Sequence, residues 1–314
     1  GIFSFIVANK WMRANYGAAL RKWLKSQDIE EIVDFGDLPV FQKATTYPCI
    51  IRMVKNKPEK SVNVTVVKTL DFHDLQEYVA EKQYAVEQMK LDDGGWSLVN
   101  SGTQKLLDKL KTISTPLGEY VQGEIYRGVL TGLNEAFVVD EGIRNRLIAE
   151  DPKSAELIKP FLAGKDIKRY AFLLVQRYLI TIPKGWTRKE SNNSKNKWEW
   201  FERSYPAIAA HLKPFETQGQ KRYDKGEYWW ELRACDYYNE FQKPKILWPE
   251  IASGARFSID LNSLYANNKI FMIPDGSLYL LGLLNSLLLK LFIHSVCTDL
   301  QGDSFNFSAV FVSK

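Results

Sequence analysis

The chain opens on an unbroken apolar run, "IFSFIVA" (Ile2–Ala8), of the length a buried strand needs. The pattern then changes period. In "NYGAALRKWLKSQ" (Asn15–Gln27) Ala19, Leu20, Trp23 and Leu24 recur at helical spacing, with Asn15 as a capping residue. "IEEIVDFG" (Ile29–Gly36) returns to strand periodicity. "TYPCIIRMVK" (Thr46–Lys55) and "SVNVTVVKT" (Ser61–Thr69) follow, joined by an "NKPEK" turn that predicts a hairpin. Strand, helix, strand and hairpin make one half of an α/β sheet.

Residues 71–112 read as two helices split by "DDGGW". From Tyr120 the runs become short. "EAFVVD", "RYLITIP", "PKILWPEI", "RFSID" and "NKIFMIP" have strand character, and "NSKNKWEWFERSYPAIAAHL" has helical character. The leucine-rich "YLLGLLNSLLLKLFI" (Tyr279–Ile293) is too short and too polar, at Asn285, Ser286 and Lys290, to span a bilayer. It reads as a buried helix. The apolar runs at both ends, "GIFSFIV" and "SAVFVSK", suggest a piece of a longer protein.

At 314 residues the chain suits two domains. Its net charge of +5 is modest, but residues 151–250 hold 19 Lys and Arg against 13 Asp and Glu. That local excess permits a polyanionic partner without requiring one. Cys49, Cys235 and Cys297 form no CxxC pair, which fits a reduced, cytoplasmic setting. His73, His211 and His294 have no ligand spacing, so no metal site is expected. The start carries no signal-peptide pattern.

"ANKWMRANYGAALRKWLKSQDIEEIVDFGDLPVFQKATTYPCIIRM" (Ala8–Met53) resembles the C-terminal part of an N6-adenine DNA methyltransferase domain. The match lies in the order Asn-Lys-Trp, "YGAALR", "IVDFG" and "PVFQKATTYPCI". The resemblance implies a Rossmann-like sheet and makes Phe41 the aromatic that packs against an adenine flipped out of the duplex. An extruded base loses its stacking partners, and an aromatic face restores part of that. Judged on its own, Phe41 reads first as an apolar plug between strand and hairpin, and the flanking pattern turns the reading to the base contact.

"YRGVLTGLNEAFVVD" (Tyr126–Asp140), "IKPFLAGKDIKRY" (Ile158–Tyr170), "GEYWWELRACDYYNEFQKPKILWPEI" (Gly226–Ile251) and "SLYLLGLLNSLLLKLF" are similar to the target-recognition domain of TaqI-like methyltransferases. The expected organisation is the end of a methyltransferase domain at 1–70, a helical connector at 71–119 and a recognition domain at 120–314. Residues 71–119 resemble no known segment. The chain lacks two of the family's motifs, a glycine-rich loop for S-adenosylmethionine and an Asn-Pro-Pro-Tyr tetrad. The resemblance therefore implies the sequence-recognition part of an adenine-specific restriction-modification enzyme. The cofactor is expected in the parent protein and not in this piece. The expected partner is double-stranded DNA. The alternative is a non-catalytic specificity subunit, and the methyltransferase-like block at Ala8–Met53 argues against it.

Two glycine-and-cation loops carry the candidate contacts. "YRGVLTGLN" holds Arg127, Thr131 and Asn134, and "AGKDIKRY" holds Lys165, Lys168, Arg169 and Tyr170. Glycine lets a backbone pass close to a phosphate or a base edge. Lys243 and Lys245 flank Pro244 before a strand. Arg256 and Asn267 have the donors that suit guanine and adenine edges. Trp229, Trp230 and Trp248 fit a core better than a stacking platform, and Arg233 fits a structural pairing with a nearby acid. "ESNNSKNK" (Glu190–Lys197) fits a loop that orders on DNA.

Overall fold

The computed structural model describes residues 1–41, 46–192, 194–297, 299–300 and 304–314, without the side chains of Val296, Asp299 and Leu300. Part of the "PVFQKATTYPCI" block and one residue of the "ESNNSKNK" loop thus lie outside the described residues. The chain forms two compact units, one of residues 1–120, 251–254 and 286–314, the other of residues 121–250 and 255–285.

The first unit is built on strands β1 (Ile2–Ala8), β2 (Asp28–Asp34), β3 (Pro48–Val54), β4 (Ser61–Val66) and β5 (Tyr84–Glu87), in the order β1-β3-β2-β4-β5. β3 runs antiparallel to both neighbours, and β2 and β4 are parallel. The predicted hairpin of β3 with β4 does not form, because β2 lies between them. The "NKPEK" segment is therefore a crossover, and β2 gains the partner that buries Ile32 and Val33.

The apolar pattern of β1 predicts a strand correctly but not its burial. β1 pairs along one edge only, and Ile2, Phe3, Phe5 and Ile6 are exposed. Helix α1 (Ala18–Lys25) shows the same departure. Leu24 is buried, but Leu20 and Trp23 are exposed, and Arg21 takes the inner side. Its guanidinium donates to the carbonyls of Trp11, Ala14 and Asp93 at 2.5–2.9 Å. Asn15 makes no cap; it opens a 3-10 turn and the helix starts after Gly17. Gly17 has no room for a side chain, since a Cβ there would meet the Trp11 carbonyl at 2.0 Å.

The predicted helical connector is only partly helical. Helices α2 (Leu75–Lys82) and α3 (Ser101–Ile113) form, but β5 lies between them and completes the sheet. Trp96, from the "DDGGW" turn, is fully buried edge-on to Trp11 at 5.2 Å. Residues 71–113 thus supply core to the first unit rather than a linker.

A short helix, α4 (Leu117–Tyr120), precedes the second unit. That unit contains two four-stranded sheets. One has the order β12-β10-β14-β6, the other β13-β8-β9-β7. The strands are β6 (Tyr126–Arg127), β7 (Val138–Val139), β8 (Ile158–Leu162), β9 (Arg177–Ile180), β10 (Lys245–Pro249), β12 (Ser258–Asp260), β13 (Tyr265–Ala266) and β14 (Ile270–Pro274). β10 and β14 are buried at every residue, which explains their unbroken apolar sequences. Helices α5 (Asn134–Phe137), α6 (Glu141–Glu150), α7 (Trp186–Glu190), α8 (Lys197–Ser204), α9 (Pro206–Leu212) and α10 (Glu216–Lys221) complete the unit with α11 (Leu278–Leu284). The helix predicted across 193–212 breaks at Tyr205, because Pro206 removes a backbone donor and restarts the turn as α9.

Trp230 and Trp248 are buried, and Trp229 is half-buried. Trp230 stacks on Tyr228 at 4.7 Å and donates its Nε1 proton to Thr187 Oγ1 at 3.0 Å. The crowd of rings at 226–251 is thus mainly core. Arg233 pairs with Asp224 at 3.3 Å.

The C-terminal segment, residues 286–314, packs within the first unit. It comprises α12 (Leu287–Val296), β15 (Asp299–Leu300), β16 (Ser304–Asn306) and α13 (Ala309–Val312). β16 pairs there with β11 (Ile251–Ala252). The leucine-rich stretch is not one buried helix: it ends as α11 at Leu284 and restarts as α12 after the Ser286 cap. Leu278, Tyr279, Leu283, Leu287 and Leu288 are exposed. No single helix among the described residues is long and apolar enough to cross a membrane. Among the described residues Cys49, Cys235 and Cys297 form no disulfide, and no metal-ligand cluster occurs.

Candidate nucleic-acid interface

The antiparallel pairing of β10 with β14 sets Pro249 opposite Ile270. It thereby joins two segments that are remote in sequence. Glu250, just past β10, donates its backbone amide to the Lys269 carbonyl at 2.8 Å, and its carboxylate accepts that residue's ammonium at 2.9 Å. Its other carboxylate oxygen holds Arg127 at 2.8 Å. Arg127 Nε donates to the Asn268 carbonyl at 2.5 Å, and its guanidinium lies over the Phe271 ring. Two half-exposed cations therefore share one largely buried acid, which leaves the cluster positive.

Asn267 sits at the same end of β14. Its Oδ1 accepts from the Lys269 amide at 3.1 Å, and its backbone bridges to Val129. Gly128 is where the first glycine loop departs from expectation. A Cβ there would meet the Asn267 carbonyl at 2.0 Å. The glycine is needed for close approach to the protein's own backbone, not to a ligand.

Thr131 is buried rather than available for contact. Its hydroxyl donates to Asn134 Oδ1 at 2.6 Å, and its carbonyl accepts from Arg222. Asn134 itself is exposed. Arg222 is buried among the carbonyls of Thr131, Trp229 and Glu231 and lies 4.5 Å from the Phe137 ring centroid. Burial lowers its pKa to about 10, so it stays charged at neutral pH.

The second glycine loop begins beside Lys269: a Cβ on Gly164 would lie 3.7 Å from that residue's carbonyl. It runs from β8 to β9. Lys165, Lys168, Arg169 and Tyr170 are all exposed on it. Lys165 and Lys168 make no ion pair among the described residues. Arg169 is committed, donating to the Asn285 carbonyl and lying 4.6 Å from the Tyr170 ring centroid.

The two lysines around Pro244 are not brought to this patch. Lys245 is fully buried and paired with Asp260 at 2.5 Å, so it cannot meet a phosphate. Every residue of β10 is buried, so Lys245 has no solvent-facing side of the strand to occupy. Lys243 is half-exposed but pairs with Glu240 and Asp275 at 2.9 and 3.5 Å. It lies at the opposite end of β10 from Glu250, about 20 Å away at strand rise. Arg256 is half-buried. In the first unit Phe41 is 46% exposed, which argues against the plug reading.

Glu250 and Lys269 were not singled out from sequence. They lie 19 positions apart with no motif linking them, and only the β10–β14 register joins them.

The chain is similar to proteins of restriction-modification systems. Residues 159–309 match the TaqI-like C-terminal specificity domain, and residues 1–41 match the Eco57I restriction-modification methylase. The type II methyltransferase M.BstVI of Geobacillus stearothermophilus is 20% identical over 335 residues, covering 100% of this chain and 57% of that protein. The type II restriction enzyme and methyltransferase RM.Eco57I of Escherichia coli is 25% identical over 150 residues, covering 45% of this chain and 14% of that protein. Among solved structures, the type IIL restriction-modification enzyme MmeI, in complex with DNA, aligns with a TM-score of 0.61 at 13% identity, over 99% of this chain and 38% of MmeI. The chain thus spans little more than half the length of M.BstVI.

Proposed function

We propose that the chain, whose residues 159–309 match a TaqI-like C-terminal specificity domain and whose residues 1–41 match a restriction-modification methylase, is the DNA sequence-recognition part of a site-specific adenine-N6 methyltransferase. The observation that carries the reading is the positive patch formed by Arg127 and Lys269 around Glu250, with the unpaired Lys165 and Lys168 on the adjoining loop. Phosphate contacts from such lysines position a protein on the duplex, and half-constrained groups such as Arg127 and Asn267 are placed to read base edges.

The sheet order of the first unit supports a further element of the proposal. β1-β3-β2 with β3 antiparallel suits the closing strands of a Rossmann-like methyltransferase sheet. β1 is apolar on both faces and free along one edge, as a strand with another partner would be. Phe41, exposed after the Leu38–Val40 turn, fits a role against a flipped adenine. The described residues do not fit S-adenosylmethionine itself, because β1 runs into a 3-10 turn at Asn9–Met12 with no glycine-rich loop. No methyl-transfer step is therefore assigned to residues of this chain. The match of residues 1–41 to a methylase weighs against a purely non-catalytic specificity subunit.

Selection of duplexes from a randomised pool by the purified chain, followed by a binding titration of the enriched sequence against scrambled DNA, tests the reading. Enrichment of one short motif is expected. Binding without any sequence enrichment would reduce the chain to a nonspecific DNA clamp, and no binding even at low salt would remove the proposal.

A further inference from the structure

The loop between β8 and β9 carries more apolar surface than a solvent-exposed connection has reason to hold. Its sequence from Ile167 to Gln176 is "IKRYAFLLVQ". The backbone from Phe172 onward alternates. Leu173 and Val175 pack against the core of the unit, whereas Phe172 is 96% exposed and Leu174 69% exposed. Tyr170 is 70% exposed and has φ of +56°, a left-handed conformation that costs a bulky aromatic residue energy.

The segment is nevertheless firmly mounted. Asp166 and Arg177 close its base at 2.5 Å, with Asp166 also accepting from the Ala163 amide at 2.7 Å. Ile167 is fully buried. Arg169 donates to the Asn285 carbonyl, and the Ser258 hydroxyl reaches the Ala171 carbonyl at 3.5 Å. The rings at the tip are thus presented on a tethered backbone.

The charge around the tip is of one sign. Between Lys165 and Arg177 the sole acid is Asp166, and it is neutralised by Arg177. Lys165 and Lys168 are exposed beside the rings. A stiff apolar tip flanked by unpaired cations suits a duplex, in which a side chain can enter between base steps while lysines hold the phosphates. An apolar protein surface would gain nothing from the lysines.

We propose that Phe172 is a wedge that inserts into the base stack of bound duplex DNA at an opened or unstacked step. The inference rests on the DNA-recognition reading above and adds to it a residue that acts on DNA shape rather than on base edges. An inserted ring has to pay for unstacking, so a duplex already opened at one position should bind better than an intact one.

The test compares two short duplexes of the same sequence, one fully paired and one with a single central abasic site, by fluorescence anisotropy with the 314-residue chain. The unsubstituted protein should favour the abasic duplex by about tenfold, equivalent to ~1.4 kcal/mol, within the range for base–aromatic stacking. Phe172→Ala should lose that preference while holding fully paired DNA within about twofold. Phe172→Trp should keep the preference. Lys165→Ala with Lys168→Ala should weaken both complexes alike and leave their ratio intact. Because Phe172 is exposed, an unchanged melting temperature certifies the variants. Equal affinity of the unsubstituted protein for the two duplexes, or a preference that survives Phe172→Ala, overturns the wedge and leaves DNA recognition standing. Failure to bind either duplex at low salt overturns the recognition reading and the wedge with it. A change of self-association in Phe172→Ala with DNA binding untouched assigns the tip to a protein contact and also overturns the proposal.

Discussion

Lys245 and Asp260 face each other across β10 and β12 as an ion pair with no exposed surface on either side chain. Nζ also donates to the Phe241 carbonyl at 2.7 Å, and Asp260 further accepts the amides of Asn262 and Leu264 at 2.7 and 2.8 Å. Removing one partner of such a pair strands a charge away from water. Lys245→Ala should therefore cost about 3–5 kcal/mol of stability. Lys245→Met combined with Asp260→Asn, which removes both charges, should recover part of that loss. Urea midpoints for the single and double variants check this. A Lys245→Ala protein with an unchanged midpoint would falsify the burial assigned to the pair.

The same residue shows what could and could not be read from sequence. The run "KPKILWPEI" announces a buried strand through its apolar spacing. It does not say that Lys245 is buried, because that depends on Asp260, 15 residues away. Most strands were legible for the same local reason, and pairings were not. The "NKPEK" turn favours a hairpin on local grounds, yet β2 intervenes between β3 and β4. The helical spacing of Leu20 and Trp23 predicts α1 but not that Arg21 would find three carbonyls on the inner side. Of the candidate site, the exposed cations of the β8–β9 loop could be named in advance. The Glu250–Lys269 pair could not, since only sheet register creates it.

Glu231 is fully buried, and its carboxylate accepts the amides of Thr187, Gly185 and Glu227 at 3.0, 3.1 and 2.8 Å. It ties the Trp229–Trp230 turn to the start of α7. Gln has one acceptor oxygen and would turn an amide nitrogen toward backbone donors. Glu231→Gln is expected to lose about 2–3 kcal/mol, as for hydrogen bonds to a charged group. Denaturant melts followed by tryptophan emission report on this cluster directly, and a variant as stable as the parent would mean the carboxylate is not holding the turn.

Stability should fall on mild acidification. Burial depresses the pKa of His211, despite the bond between its Nε2 and the Ala136 carbonyl at 3.0 Å. The unfolded imidazole titrates near about 6.5, so below that pH the unfolded chain takes up the proton first. The contribution is complete above about 6.5, is lost as pH falls through the lower folded value, and is constant below it. His294 is depressed in the same direction, by burial first and then by Lys290 and Arg13. His211→Gln, which keeps a donor for Ala136, should flatten this acid limb in melting curves taken between neutral and mildly acidic pH. A limb of unchanged steepness in both His211→Gln and a matching His294 variant would assign it to carboxylates instead.

Phe41 separates a base-facing ring from a core plug by stability alone. It is 46% exposed, so Phe41→Ala should change folding stability by no more than about 0.5 kcal/mol, as at ordinary surface positions. A buried phenylalanine truncated to alanine would lose about 3–5 kcal/mol. Thermal melting of the variant distinguishes the two, and a loss of the larger size would place the ring in the core and withdraw it from any contact with a flipped base.

The lysines of the two proline- and glycine-marked loops should behave oppositely on DNA. Lys165 and Lys168 are exposed and unpaired, so their ammonium groups are free to displace condensed counterions from phosphates. Each such contact adds about 0.9 to the slope of log affinity against log salt. Lys165→Ala with Lys168→Ala should therefore lower that slope by up to about 1.8 and weaken binding to every sequence alike. Arg169→Ala should act differently. It removes the bond to Asn285 and the support under Tyr170, so it should loosen the loop as well as remove charge. Lys243→Ala should leave the slope unchanged, because Lys243 is already paired with Glu240 and Asp275 at the far end of β10. Binding titrations of the three variants across a salt series decide between the faces. A slope reduced by Lys243→Ala and untouched by the double lysine variant would move the phosphate-binding surface to the opposite end of the sheet.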